Sequence, residues 1–246
     1  MLSQLEKEEA DWDVAFGVSA DALEEGKEYW QTGKDAWTGY SAVSFVILYN
    51  TNVVTYRELP TGWDSLLEPR WKGRVAVPDP LKSDMAASVL TEAAKNSEKE
   101  EFLDLLAENM QYQMPETFKE VEQGISDGRY SIGVTSEEAA KAMLAAGQDV
   151  DYIDPEEGEC FFEDGTAIRK RTPNLDASEA FVTYTTCDDT KWLLRTQLLR
   201  QPAEDVAAEN DRSDEDLKQR YSRQQEVLNI WKLIMEEKSG SAHEQE

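Results

Sequence analysis

The chain has 246 residues, of which 51 are acidic and 25 basic, giving a formal charge of −26. Such a surface excludes a nucleic-acid binder, which needs clustered Lys and Arg to neutralise phosphates, and argues equally against a protein that rests on anionic lipid. Apolar residues make up 40% of the chain, enough for a core, yet no run of roughly 18 apolar residues offers a membrane span. The only histidine is His243, near the C-terminus, so a Ser-His-Asp or Cys-His centre has no base. Cys160 and Cys187 are too few for a zinc set, form no CxxC, and are read as two unpaired thiols. Neither a GxGxxG nor a GxxxxGK[ST] loop occurs, so no dinucleotide or nucleotide cofactor is expected. A carboxylate pair could still do acid–base work, but no pair stands out among the acids. The balance favours binding over catalysis.

In chain order, 2–10 reads as a charged helical turn. Asp13 to Val18 reads as a strand, and Ser19 or Asp21 caps a helix over 20–29. Residues 30–39 are polar and turn-rich, with Trp37 as a packing lid or a stacking surface. Ser44 to Asn50 is a continuous apolar run of strand length. The stretch 59–84 is the one around which the rest of the chain is organised. Pro60 and Gly62 mark a turn, and Asp64 is placed to cap a short helix over 65–67 with Trp63 stapling its entry. Pro69 stops that helix, Arg74 to Val77 alternates as a strand, and Ser83 or Asp84 opens a helix over 85–94. A strand that runs through a loop into a helix N-terminus is a place to hold an anion.

Helical spacing returns over 99–110 and 116–128, the latter with Phe118, Val121 and Ile125 on one face. Tyr130 to Val134 reads as a strand that leads into a helix over 137–146. There Thr135-x-x-Glu138 has the form of a capping box, a second junction able to present backbone N–H groups. Val150 to Ile153 is a short strand, and Glu157 an exposed turn carboxylate or a cleft residue. A strand over 165–169, helices over 175–186 and 190–199, and an amphipathic helix over 219–235 complete the chain.

Several segments in order resemble bacterial extracellular solute-binding proteins of ABC importers, the type II group that includes ferric-iron and 2-aminoethylphosphonate receptors. They are Tyr49-Asn50-Thr51, Glu58-Leu59-Pro60, Trp63-Asp64-Ser65-Leu66-Leu67, Pro69-Arg70-Trp71-Lys72-Gly73 and Asp79-Pro80-Leu81-Lys82-Ser83. Asn174 to Tyr184 and Arg200-Gln201-Pro202 with Asp205-Val206 extend the resemblance. Asp84 stands where the family usually has Gly, and Ser136-Glu137-Glu138 stand where the ferric-iron branch has a tyrosine pair.

The resemblance implies an α/β, two-lobed, Venus-flytrap fold with an incomplete first lobe. Roughly sixty to eighty residues of the family's usual first lobe would precede this chain, about the size of a small domain. Lobe 1 is expected from 1–44 and 159–200, lobe 2 from 45–158 and 201–235, and a flexible tail from 236–246. The implied function is capture of a small solute by hinge closure and its delivery to importer membrane subunits, outside the cytoplasm, in the periplasm or lipid-anchored at the cell surface. No enzyme activity and no membrane insertion are expected.

Implied ligand-binding residues are Gly17, Ser19, Tyr40 and Ser41 on one lobe and Ser83, Asp84, Thr135, Ser136 and Glu137 on the other. A phosphonate or other small oxyanion is favoured by the helix starts at Ser83 and Thr135. Ferric iron or a polyamine is the alternative, favoured by Asp84 and Glu137, as is a ligand-sensing domain of a signalling protein.

Overall fold

The computed structural model describes residues 11–31, 36–205 and 214–243. The turn expected at 2–10, Lys34, Asp35 and Val206 lie outside them. The chain divides into two compact units, one of residues 1–43 and 162–222, the other of 44–161 and 223–246. Residues 201–205 and 214–222 fall in the first of these units.

In the first unit, β1 (Val14–Ser19) lies antiparallel to β6 (Cys160–Ile168), with Val14 opposite Ile168 and Ser19 opposite Asp164. The register slips between Phe16 and Val18, where Gly17 takes a φ of 70°. That left-handed turn is open to glycine at no steric cost and makes a bulge. β6 borders β2 (Thr38–Asn50), and β7 (Gln201–Pro202) pairs with β2 opposite Ala42 and Ser41. Helix α1 (Ala20–Glu25) follows β1 and gives way at Gly26 to a 3-10 turn over Lys27–Tyr29, so the expected long helix is broken. Ala15, Leu23, Trp30 and Ala167 form the core here. Trp30 is fully buried because its indole N–H donates to the Leu23 carbonyl at 2.9 Å.

In the second unit, β3 (Val75–Ala76) runs parallel to β4 (Ile132–Ser136), with Val75 opposite Ile132. β4 is antiparallel to the second half of β2, Phe45 facing Ser136, and β5 (Val150–Ile153) pairs with β2 through Ile47 and Ile153. Helices α2 (Asp84–Asn96), α3 (Phe102–Asn109) and α4 (Phe118–Ser126) connect β3 to β4, and α5 (Glu137–Ala145) connects β4 to β5. Val46, Leu48, Ala76, Val121, Ile125, Ala140 and Met143 pack into one cluster, so the period-2 face of β2 meets the period-3.6 faces of α4 and α5.

The first unit is completed by α6 (Leu175–Thr185) and α7 (Asp188–Leu193), which runs on as a π turn over Leu194–Leu198. The last helix, α8 (Asp214–His243), starts in the first unit and ends in the second. Neither cysteine is in a disulfide, as read from the sequence; Cys160 is buried and Cys187 half-buried.

Candidate functional site

In the second unit the candidate residues fall at two helix starts. β3 and β4 are parallel neighbours, so the chain leaves both in the same direction before entering α2 and α5. This arrangement gathers helix N-termini, with their free N–H groups and positive dipole ends, along one sheet edge. Ser83 caps α2, its Oγ accepting from Ala86 N at 3.2 Å, and Asp84 is exposed in the first turn. At α5 the cap is Ser136, whose Oγ accepts from Ala139 N at 3.2 Å.

The capping box expected from Thr135 does not form. Thr135 is the last inward-facing residue of β4, fully buried, and its hydroxyl donates to Glu122 Oε1 at 2.7 Å. Burial pushes the Glu122 carboxyl above its ordinary value, against the Thr135 hydrogen bond and the nearby Lys119 charge.

Glu137 is held from three sides. Its Oε1 meets Lys141 Nζ at 2.7 Å and accepts from Tyr152 Oη at 3.5 Å, while Oε2 accepts from Ser44 Oγ at 3.3 Å. The hydrogen bond to Glu137 pushes the Lys141 amine up, and burial followed by the Glu137 charge does the same to the Tyr152 phenol. Lys141 is one helical turn after Glu137, an i,i+4 pair that sequence spacing can show. Tyr152 and Glu122 give no comparable signal.

The helix start at Trp63 is closed. A 3-10 helix, not an α-helix, spans Trp63–Leu67. Asp64 does not cap it; its Oδ1 accepts from Ser97 Oγ. The cap is Glu157, whose two carboxylate oxygens accept from Trp63 N at 3.0 Å and Asp64 N at 3.1 Å. The sequence reading of Glu157 as an exposed turn or cleft carboxylate is thereby corrected.

In the first unit Gly17, Tyr40 and Ser41 come together. A Cβ at Gly17 would stand 3.7 Å from Tyr40 Oη. The Tyr40 ring stacks on Phe16 at 4.7 Å, and Phe181 meets Phe16 edge-on at 5.3 Å. Burial, then the Asp164 charge, pushes the Tyr40 phenol up to about 12, so it stays a neutral hydroxyl. Ser41 is buried and donates to Asp164 Oδ2 at 3.0 Å. Ser19 is buried too and caps α1, accepting from Ala22 N at 3.3 Å. A cavity of about 560 Å³ in this unit is lined by Trp37, Tyr40, Glu24, Lys27, Glu163 and Lys191 among others. Trp37 donates its indole N–H to Glu24 Oε2 at 3.2 Å and packs beside the core.

Two α/β units joined by strands that pass from one to the other, with helix N-termini gathered at a sheet edge, define the class: a two-lobed periplasmic-binding-protein fold. Solved structures agree. A ferric binding protein from Campylobacter jejuni superposes with a TM-score of 0.76 at 13% identity, over 95% of this chain and 87% of that one. The periplasmic binding protein AfuA from Actinobacillus pleuropneumoniae, with exogenous fructose-6-phosphate bound, gives 0.77 at 15% identity, over 96% and 86%. A two-component system protein that mediates signal transduction gives 0.68 at 19%, over 88% and 79%. At these identities the likeness is one of fold.

Residues 15–225 match the family described as bacterial extracellular solute-binding protein, and the chain belongs to that family. No curated protein in the comparison matches it. Among the described residues no helix is long and apolar enough to cross a membrane.

Proposed function

We propose that this protein is the extracytoplasmic solute-binding component of an ABC importer, and that it captures a small oxyanion, with phosphonates favoured, by hinge closure. It would hand the solute to the importer's membrane subunits and catalyse no reaction. The observation that carries this reading is the pair of serine-capped helix starts, Ser83 on α2 and Ser136 on α5, that follow two parallel neighbouring strands. Unlike the start at Trp63, each is capped by a neutral hydroxyl. Glu137, which would repel an anion, is paired with Lys141 at 2.7 Å. The fructose-6-phosphate in AfuA supports an oxyanion as a solute that this fold accommodates. Tyr40 and Gly17 are the first-unit residues proposed to meet the solute. Ser19 and Ser41 would act through the positions they fix, since both are buried and already bonded.

A second reading, an organic cation such as a polyamine, is supported by the cavity that Trp37 and Tyr40 line beside Glu24 and Glu163. Aromatic faces and carboxylates together suit an ammonium group. A detached sensing domain is a third, supported only by the fold shared with a two-component system protein.

Thermal melting of the chain against phosphonates, phosphate esters, ferric ion and polyamines separates these. A solute that binds only the native state stabilises it by about 2.7 kcal/mol at a hundredfold excess over its Kd, and so raises the midpoint. A rise with phosphonates or phosphate esters alone supports the oxyanion reading. A rise confined to polyamines or ferric ion overturns it.

A further inference from the structure

The first unit holds a buried ionic contact that solute capture does not use directly. Asp164 lies on β6 with its side chain 8% exposed, and Arg200 Nη2 meets its Oδ2 at 2.5 Å. The same oxygen accepts from Ser41 Oγ at 3.0 Å. Ser41 is on β2, and Arg200 directly precedes β7, whose Pro202 pairs with Ser41. One carboxylate oxygen thus ties three neighbouring segments together. Removing Arg200 takes a charged partner away from the buried Asp164 carboxylate, which is costly.

The backbone accepts strain to make it. Leu199, just before Arg200, sits in the left-handed region at a φ of 55°. A residue with a Cβ adopts that conformation only at a cost. It ends the π turn, lets Arg200 N donate to Leu194 O at 3.0 Å, and turns the chain into β7.

The position of the contact is informative. β2 leaves the first unit for the second at Val43/Ser44, and β6 enters the first unit from the second at Phe161/Phe162. Ser41 lies just before one boundary and Asp164 just after the other. We propose that Ser41, Asp164 and Arg200 form a clamp that joins β2, β6 and the segment leading into β7 inside the first unit and holds Tyr40 and Ser41 in place. Asp164 and Arg200 are then positioning residues. The relevance of the clamp to capture rests on the receptor reading; the clamp itself does not.

Hydrogen–deuterium exchange of the full chain, with no solute added, tests it. In Arg200→Met, peptides covering 38–43 and 162–168 should exchange about tenfold faster, while those covering 75–76 and 132–136 keep the wild-type rate. Ser41→Ala, which removes one hydrogen bond and no charge, should give the same pattern more weakly. Arg200→Lys, which keeps the charge with a different reach, should fall between. Faster exchange spread evenly over both units, or none in any variant, overturns the clamp. If Arg200→Met does not fold, Ser41→Ala carries the comparison alone. Localised exchange in a protein that no solute stabilises would keep the clamp and remove the receptor reading.

Discussion

Two helix starts in the second unit look alike in sequence and differ in what they hold. At Trp63 the first N–H groups are closed by the Glu157 carboxylate, with both of its oxygens engaged. At Glu137 the cap is a neutral serine, and the neighbouring carboxylate is turned onto Lys141, Ser44 and Tyr152. A helix start already filled by the protein's own anion is structural. One capped by a hydroxyl keeps its dipole unspent for something else.

The largest effect should come from opening the closed start. Glu157→Ala removes two charge-assisted hydrogen bonds and should cost about 2–4 kcal/mol in denaturant unfolding. Gly62→Ala should cost a similar amount by another route. Gly62 is extended, with a φ of −171°, so its conformation is open to any residue. A Cβ there, however, would stand 1.6 Å from Glu157 Oε2 and push the carboxylate off its donors. If that is the mechanism, the two changes are not additive, and Gly62→Ala should cost little once Glu157 is already alanine. Simple addition of the two costs would show that Gly62 is needed for another reason.

Breaking the open starts should cost less. Ser136→Ala or Ser83→Ala removes one neutral cap, worth about 1 kcal/mol each. The comparison sharpens with Glu137→Gln. Its pair with Lys141 is partly exposed, so stability should change by no more than about 1 kcal/mol. Affinity for a phosphonate, measured by calorimetry, should rise several-fold as the local negative charge is removed. A fall, with a rise in affinity for none of the anions, would favour the cation reading.

Much of the fold is legible in the sequence because it rests on local pattern. The apolar run from Ser44 to Asn50, the faces built on Val121 and Ile125, and the strand at Val150–Ile153 come from periodicity, and the serine at 83 from cap chemistry. The site is less legible because its decisive contacts join residues far apart in sequence. Glu157 reaches Trp63 across 94 positions, and Ser41 reaches Asp164 across 123. The cap expected at Thr135 falls one residue later. The strand continues through Ser136, which points Thr135 inward to Glu122 and leaves Ser136 at the corner. Spacing alone cannot show where a strand stops and a helix starts when both neighbours are able to cap.

The same corner carries the smallest expected effect. Glu122 is partly buried under Thr135, and burial raises its carboxyl above the ordinary 4.5. The folded state therefore holds this proton more tightly than the unfolded chain does. The resulting stability is fully present below the unfolded value and is lost as pH rises through the raised folded one. At neutral pH the charged form sits in a place that desolvates it. Glu122→Gln keeps an oxygen to accept from Thr135 and removes the charge, so it should raise the melting midpoint at pH 7 by about 1–3 °C. At about pH 4, where the wild-type carboxyl is already largely protonated, the gain should shrink towards zero. An equal gain at both pH values would mean that the substitution acts through packing. A loss at pH 7 would mean that the Lys119 charge outweighs desolvation, and that the floor beneath the open helix start is held by its charge rather than in spite of it.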